Sequence, residues 1–207
     1  MRLSRVFTAQ ALSVNSVVEL EGPAGHYLAR VLRVSEGDPV TLFNGDGRNY
    51  SGEISALQRK QVQVRIHSVS EPGNESPLKI TLVQAVSRGE RMDDSLQKAT
   101  ELGVVRIQPV ISSRVEVRLD EKRASKRLAH WRAVVVSACE QSGRAMVPEV
   151  ATLMSFNEWA SGRGAGQCLV LDPMARQRLS TASIQADALS VVVGPEGGFS
   201  DEELKQL

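Results

Sequence analysis

The chain lacks most of the signatures that assign a protein at sight. Its 207 residues carry 2 cysteines, Cys139 and Cys168, with no C-x-x-C spacing. That excludes a disulfide framework and marks both as reduced core thiols of a cytoplasmic protein. The 3 histidines, His26, His67 and His130, are scattered, so no metal site is expected. No apolar run approaches membrane-spanning length. The opening Met1-Arg2-Leu3-Ser4-Arg5-Val6-Phe7 has neither the apolar core nor the cleavage pattern of a signal peptide. The net charge is only +1, so nothing global marks a nucleic-acid binder, although a local basic face stays open. Neither Gly-x-Gly-x-x-Gly nor Gly-Lys-Ser/Thr occurs, which argues against a dinucleotide-dependent dehydrogenase and a P-loop kinase.

What is present is ordinary globular composition, 42% hydrophobic and 24% charged, enough for one large domain or two small ones. The first seventy or so residues read as short strands around one helix. Residues 17–20 form a strand, and 22–33 a helix with Tyr27, Leu28, Val31 and Leu32 on one face. Residues 39–43 and 50–57 form strands across the turn Asn44-Gly45-Asp46-Gly47. Residues 61–66 alternate polar and apolar, a half-buried strand. Together they suggest a small β-barrel. Residues 71–77, E-P-G-N-E-S-P, cannot continue a strand or helix and form the linker, with the boundary between domains 1–72 and 73–207.

Beyond it the rhythm turns to β-α-β. Residues 78–85 and 104–110 read as strands. Between them 92–103 is a helix, with Met92, Leu96, Ala99 and Leu102 on one face and Gly103 closing it. Residues 120–143 form a long helix, its apolar side Leu128, Trp131, Val135 and Ala138. Ser155-Phe156-Asn157-Glu158 and Ser200-Asp201-Glu202-Glu203 are capping boxes. Residues 168–171 and 190–193 are short strands of buried type. This alternation points to an α/β fold, a mostly parallel sheet with helices on both faces.

Four clusters could carry chemistry. Gly194-Pro195-Glu196-Gly197-Gly198 follows a strand and precedes a helix, the place where open α/β sheets hold ligands. Its glycines let a ligand approach the backbone, and it has no cation for a phosphate. An adenine or amino-acid moiety suits it, and a bare β-to-α turn fits the same spacing. Ser87-Arg88-Gly89-Glu90-Arg91 also follows a strand, and Arg88 and Arg91 could grip phosphates; a solvated helix start fits as well. Cys139-Glu140-Gln141-Ser142-Gly143-Arg144 is either a polar pocket or a helix end with Arg144 opposing the dipole. Lys122, Arg123, Lys126, Arg127 and Arg132 form a basic helix face, either RNA-facing or merely solvated.

These pieces in this order carry a resemblance. With Ser4-Arg5-Val6-Phe7, His26-Tyr27-Leu28-Ala29-Arg30-Val31-Leu32-Arg33 and Gln97-Lys98-Ala99-Thr100-Glu101-Leu102-Gly103-Val104, the chain resembles the bacterial family of ribosomal small-subunit RNA methyltransferase E, among the knotted SPOUT methyltransferases. The match runs along nearly the whole chain. It implies an N-terminal PUA-like β-barrel that binds RNA and a C-terminal SPOUT α/β domain with a trefoil knot. It also implies a homodimer acting on 16S rRNA of the assembled small subunit. The implied reaction is methyl transfer from S-adenosylmethionine to N3 of a uridine, without a metal. Leu171, Asp172, Pro173, Gly194, Pro195, Glu196, Gly197 and Gly198 match the cofactor loops. Arg5, Arg30, Arg33, Arg88, Arg91, Lys98 and Gln141 fall in segments implied to face RNA. Glu140 is the expected general base and Arg144 the expected electrostatic donor. The family pattern continues past the glycine-rich loop with a helix, a strand and a Leu-Gly-x-Arg-x-Leu-Arg-x-Glu-Thr segment. The 207 residues are therefore expected to be C-terminally truncated, with an incomplete knot. A non-catalytic RNA-binding or dimerising module is the alternative for such a chain.

Overall fold

Strict alternation builds the first part of the structure. Val62, Val64 and Ile66 are fully buried, while Gln61, Gln63 and Arg65 between them are not, so one face of this strand makes the core. The computed structural model describes residues 4–58, 61–114, 121–175 and 177–207. Two units are distinguished: Met1–Glu75 with Cys139–Val147, and Ser76–Ala138 with Pro148–Leu207. The opening residues 1–3 and the expected helix start at Asp120 lie outside the described residues.

The first unit contains β1 (Ser4–Phe7), β2 (Val17–Leu20), α1 (Gly22–His26), β3 (Pro39–Phe43), β4 (Asn49–Gln58) and β5 (Gln61–Ser70). Their sheet order is β1-β3-β4-β5-β2, antiparallel except for β1 beside β3. The strand β1 was not expected from pattern. The turn before β4 needs positive φ, and Gly45 and Gly47 supply it at 92° and 89°. Two register shifts between β4 and β5, one leaving His67 of β5 unpaired beside Gly52 and one leaving Ser55 of β4 unpaired, are bulges that bend the sheet around a core of Val6, Leu20, Leu28, Leu42, Ile54 and Val62.

The helix over 22–33 needs correction. It runs as α-helix only to His26, then as a π-helical stretch, Tyr27–Leu32, closed by Arg33 in the left-handed region at φ 51°. The wider turn rotates the face expected to be buried. Leu28 is sealed in the core, but Val31 is 61% exposed and Leu32 38%.

The second unit contains β6 (Lys79–Ala85), α2 (Arg91–Glu101), β7 (Arg106–Ile111) and most of α3 (Glu121–Ser142). It continues with β8 (Glu149–Val150), β9 (Met154–Ser155), α4 (Phe156–Gly162), β10 (Gln167–Leu171), β11 (Ala188–Val193) and α5 (Asp201–Leu204). Every ladder here is parallel, in the order β10-β11-β6-β7-β8, with β9 also on β7. Met92, Leu96 and Thr100 form the buried face of α2. Leu102, expected on that face, is 82% exposed, because the helix ends at Glu101 and Gly103 at φ 100° turns the chain away. Trp131, Val135 and Ala138 of α3 are buried and its Lys122, Arg123, Lys126 and Arg132 exposed, whereas Arg127 is half-buried. Both capping boxes form, Ser155 with Glu158 and Ser200 with Glu203. Among the described residues no helix is long and apolar enough to cross a membrane.

The bulge of β5 opposite Gly52 yields a test. A Cβ at Gly52 would collide with the Arg65 carbonyl oxygen and lie 3.0 Å from its carbon and 3.2 Å from the Ile66 Cα, all backbone atoms that cannot step aside. Gly52→Ala should cost about 1–3 kcal/mol of stability, as overpacking does, measured by urea denaturation. An unchanged midpoint would show that the bulge is soft.

Candidate ligand site at the carboxyl edge of the parallel sheet

The order of the parallel strands creates a place for a ligand. From β6 the chain moves outward through β7 to β8, then returns on the other side to β10 and finally inserts β11 beside β6. The last strand, β11, is thereby interleaved between β10 and the first strand of the unit, β6, so loops from distant parts of the chain meet at one carboxyl edge. Register puts the exits level. Leu171 pairs with Val193, and Val193 with Gln84. The loops after β10, β11 and β6 therefore leave the sheet side by side.

The middle loop is the glycine-rich one, and it is tied to both sides. The Glu196 carboxylate accepts a hydrogen bond from the Arg88 amide at 3.1 Å and pairs with Arg91 Nη1 at 3.3 Å. Its own backbone amide, the Arg88 amide and the Arg91 charge hold it below the usual carboxylate range. From the loop after β7, Arg114 Nη1 donates to the Gly197 carbonyl at 2.7 Å. Gly198 takes φ 67° and donates to the Pro195 carbonyl at 2.8 Å, a turn that favours glycine. A Cβ on Gly194 would lie 3.3 Å from the Phe199 ring, and one on Gly197 would lie 3.7 Å from Arg114 Cβ.

The α5 cap is tied in as well. Burial alone would raise the Glu203 carboxyl, but hydrogen bonds from Ser200 and Ser113 outweigh it and hold the group low. On the other flank, β10 and the loop after it, with Leu171, Asp172 and Pro173, line a cavity of about 500 Å³. The Asp172 carboxylate accepts from the Met174 amide at 2.9 Å, fixing the loop's first turn.

The expected site residues thus separate into groups. Leu171, Asp172 and Pro173, Gly194 through Gly198, Arg88 and Arg91 share one edge of the second unit. Lys98, on α2, pairs with Glu101 at 2.8 Å. Arg30 and Arg33 are exposed on and just after the π-helical stretch. Glu140, Gln141 and Arg144 belong to the first unit. There Glu140 accepts from the Phe7 amide at 3.0 Å, and burial pushes its carboxyl up against the opposing pull of that amide and of Arg5. Arg144 is 3% exposed and forms a fork on Glu75, with Nε–Oε1 at 3.0 Å and Nη2–Oε2 at 2.6 Å. Arg5 donates to the Cys139 carbonyl at 2.8 Å and to Asn49 Oδ1 at 2.7 Å, and its guanidinium stacks 4.6 Å over Phe43. Among the described residues no cluster could hold a metal ion.

Sequence reasoning missed Arg114 and Glu75. Arg114 lies just past a strand's carboxyl end, the same signal that singled out the glycine-rich loop. Nothing in the sequence pairs Glu75 with a partner 69 residues away.

Comparison with known proteins adds relatives to this geometry. The family described as RNA methyltransferase domain matches residues 74–207, and that described as RNA methyltransferase PUA domain matches 20–66. The chain is 28% identical over 207 residues to the ribosomal RNA small subunit methyltransferase E of Buchnera aphidicola, covering all of this chain and 84% of that protein. It is 33% identical over 202 residues to the protein of the same name from Mycobacterium bovis, covering 93% and 75%. A Legionella pneumophila chain solved with bound SAM superposes with a TM-score of 0.95 at 37% identity, covering 100% and 85%. The ribosomal RNA small subunit methyltransferase E of Neisseria gonorrhoeae, bound to S-adenosyl methionine, gives 0.93 at 38%, covering 99% and 85%.

Two outcomes test this geometry. Glu196→Ala should untether the glycine-rich loop. Amide exchange at Gly197 and Gly198 should quicken while the global unfolding midpoint holds; unchanged exchange would deny the tether. Burial raises the Cys139 thiol from its ordinary 9.0 to about 11. The unfolded chain then loses this proton first, so stability should fall as pH rises from 9.0 through about 11 and be flat in this component below. Urea unfolding across that range checks it, and Cys139→Ala should remove this part of the slope.

Proposed function

Because the chain belongs to the RNA methyltransferase family, we propose that it transfers a methyl group from S-adenosylmethionine to N3 of a uridine in 16S rRNA of the small ribosomal subunit. The observation that carries this reading is the pair of level loops after β10 and β11, one beside a cavity and one rich in glycine. The residues suit the cofactor. The cavity of about 500 Å³ is within the range of small-molecule sites. Leu169, Val170 and Leu179 offer apolar wall to a base, and Asp172 with nearby backbone offers polar contacts. Gly194, Gly197 and Gly198 put no side chain in the way of a ligand's approach to their backbone. When bound, the cofactor supplies a methyl group made electrophilic by its sulfonium.

This chain's own residues then position two reactants, which is where most of the rate gain arises. Residues 171–173 and 194–198 hold the cofactor. Arg91, its side chain 72% exposed at the same edge, and Arg88 orient the RNA backbone and favour negative charge on the uracil as its N3 proton passes to solvent water, while the methyl leaves the sulfonium for N3. The first unit supplies RNA affinity through Arg30 and Arg33, as a PUA-like β-barrel. Arg144 acts as a clamp on Glu75 rather than as the electrostatic donor. The knotted SPOUT topology and a homodimer belong to this reading; the insertion of β11 between β10 and β6 supports the former.

The test is methyl transfer to purified small subunits, mapped by reverse transcription. N3 lies on the pairing edge of uracil, so its methylation should stop the transcriptase at one uridine. A methyl group on ribose or on a carbon would overturn the assignment. Asp172→Ala should weaken S-adenosylmethionine binding by about tenfold, the equivalent of 1.4 kcal/mol, in calorimetric titration. Unchanged affinity would remove residues 171–173 from the cofactor site.

A further inference from the structure

The first unit holds a second cavity, of about 480 Å³, lined by none of the residues proposed to hold the cofactor. Its apolar lining is Tyr27, Leu32, Val34 and Pro39; its polar lining is Glu140 and Asp38 with Ser4, Arg5, Gln141 and Ser142. The π-helical stretch shapes it, because the widened turn lifts Leu32 out of the core and leaves Tyr27 half-buried at the wall. Residues 20–66, which include the apolar side and Asp38, match the RNA methyltransferase PUA domain.

We propose that this cavity is a nucleobase subsite that takes a guanine unstacked from the RNA, Tyr27 packing on the ring and Glu140 accepting from its pairing edge. The inference rests on the rRNA substrate proposed above. Proteins read single-stranded RNA by stacking splayed bases on aromatic rings and bonding their edges. The chemistry of the polar side selects the base. Glu140 and Asp38 only accept when ionised, so the edge of a ligand set against them must bring donors, while Gln141 and the two serines can meet its acceptors. Guanine alone presents adjacent donors on its pairing edge, N1–H and the N2 amino group. Uracil has one N–H between two carbonyls. Adenine and cytosine set an amino group beside a ring acceptor.

Glu140 is prepared for this role. The Phe7 amide fixes Oε1 at 3.0 Å and leaves carboxylate lone pairs for further donors. Burial disfavours its charge, and donors from a base would relieve that cost. Asp38 is fixed likewise, Oδ2 accepting from the Ser35 amide at 2.7 Å. The Arg5 guanidinium, which also borders the cavity, is committed to the Cys139 carbonyl and to Asn49.

The test is titration of GMP, AMP, CMP and UMP, and of free arginine, into the full chain by calorimetry. GMP should bind at least about tenfold more tightly than the other nucleotides, the discrimination expected of one bidentate base contact. Glu140→Gln still accepts from Phe7 but turns a donor toward the base, and should abolish the preference with an unchanged melting temperature. Tyr27→Ala should weaken all four nucleotides. Absence of a GMP preference at millimolar ligand, its survival in Glu140→Gln, or tighter binding of arginine would overturn the subsite. Methyl transfer by the unaltered chain separates the two claims. Transfer without guanine selectivity sinks only the subsite, and guanine selectivity without transfer sinks only the proposed reaction.

Discussion

A parallel strand needs a neighbour that the chain must travel some distance to supply, and β11 is that neighbour for both β10 and β6. Its insertion sets three loop exits level. Without it the glycine-rich stretch would be a turn like many others. With it, the same five residues lie between a cavity-lining loop on one flank and Arg88 on the other, with Arg114 holding Gly197 from the next strand. The ties there are exposed and individually weak, because solvent screens a surface ion pair such as Arg91–Glu196. Loop position therefore rests mainly on the sheet ladders, and Glu196 and Arg114 only trim it. That division suits a site that must admit and release a ligand.

The first unit is held in the opposite way. Arg144 and Glu75 pair in a buried, bidentate fork, and removing one partner of such a pair costs about 3–5 kcal/mol because the other charge is stranded. The same segment provides Cys139 and Ala145, packed against Phe43, and Glu140 on the Phe7 amide. Residues 140–143 of this segment thus border the second cavity, where the Phe7 amide and Arg5 favour the Glu140 charge that burial opposes. A carboxylate at a mobile edge would be solvated and would discriminate little between bases.

How much of this was legible in the sequence depended on range. Alternation found β5, capping boxes found α4 and α5, and Asn-Gly and Asp-Gly found the turn before β4, because each signal acts within a few residues. The π-helical stretch was not legible. Its sequence reads as a regular amphipathic helix, and only tertiary packing shows that Leu28 is sealed while Leu32 is lifted out. β1 is four residues long and becomes a strand only by pairing with β3, so it had no local signal. The glycine-rich loop was legible by itself and Leu171, Asp172 and Pro173 only through the family resemblance, and their level exits depend on the β10–β11 register. Arg144 was singled out as chemical, yet its burial against Glu75 depends on a contact that no spacing encodes.

Electrostatics connects the two units' tasks without a strongly basic chain. With a net charge of +1, affinity for RNA cannot come from an overall field. Several candidate cations are engaged within the protein: Arg5 and Arg144 inside the first unit, Lys98 on Glu101, Arg91 on Glu196. Arg30 and Arg33 are exposed beside the segment that shapes the base-sized cavity. Phosphate contacts of that kind position a strand and carry no sequence information. An acceptor-lined pocket next to them does the complementary job. It repels phosphate, adds little to affinity, and discriminates by the donor pattern of one base. Weak attraction joined to a demanding pocket selects one place on a large RNA, where a strongly basic surface would hold the chain at many.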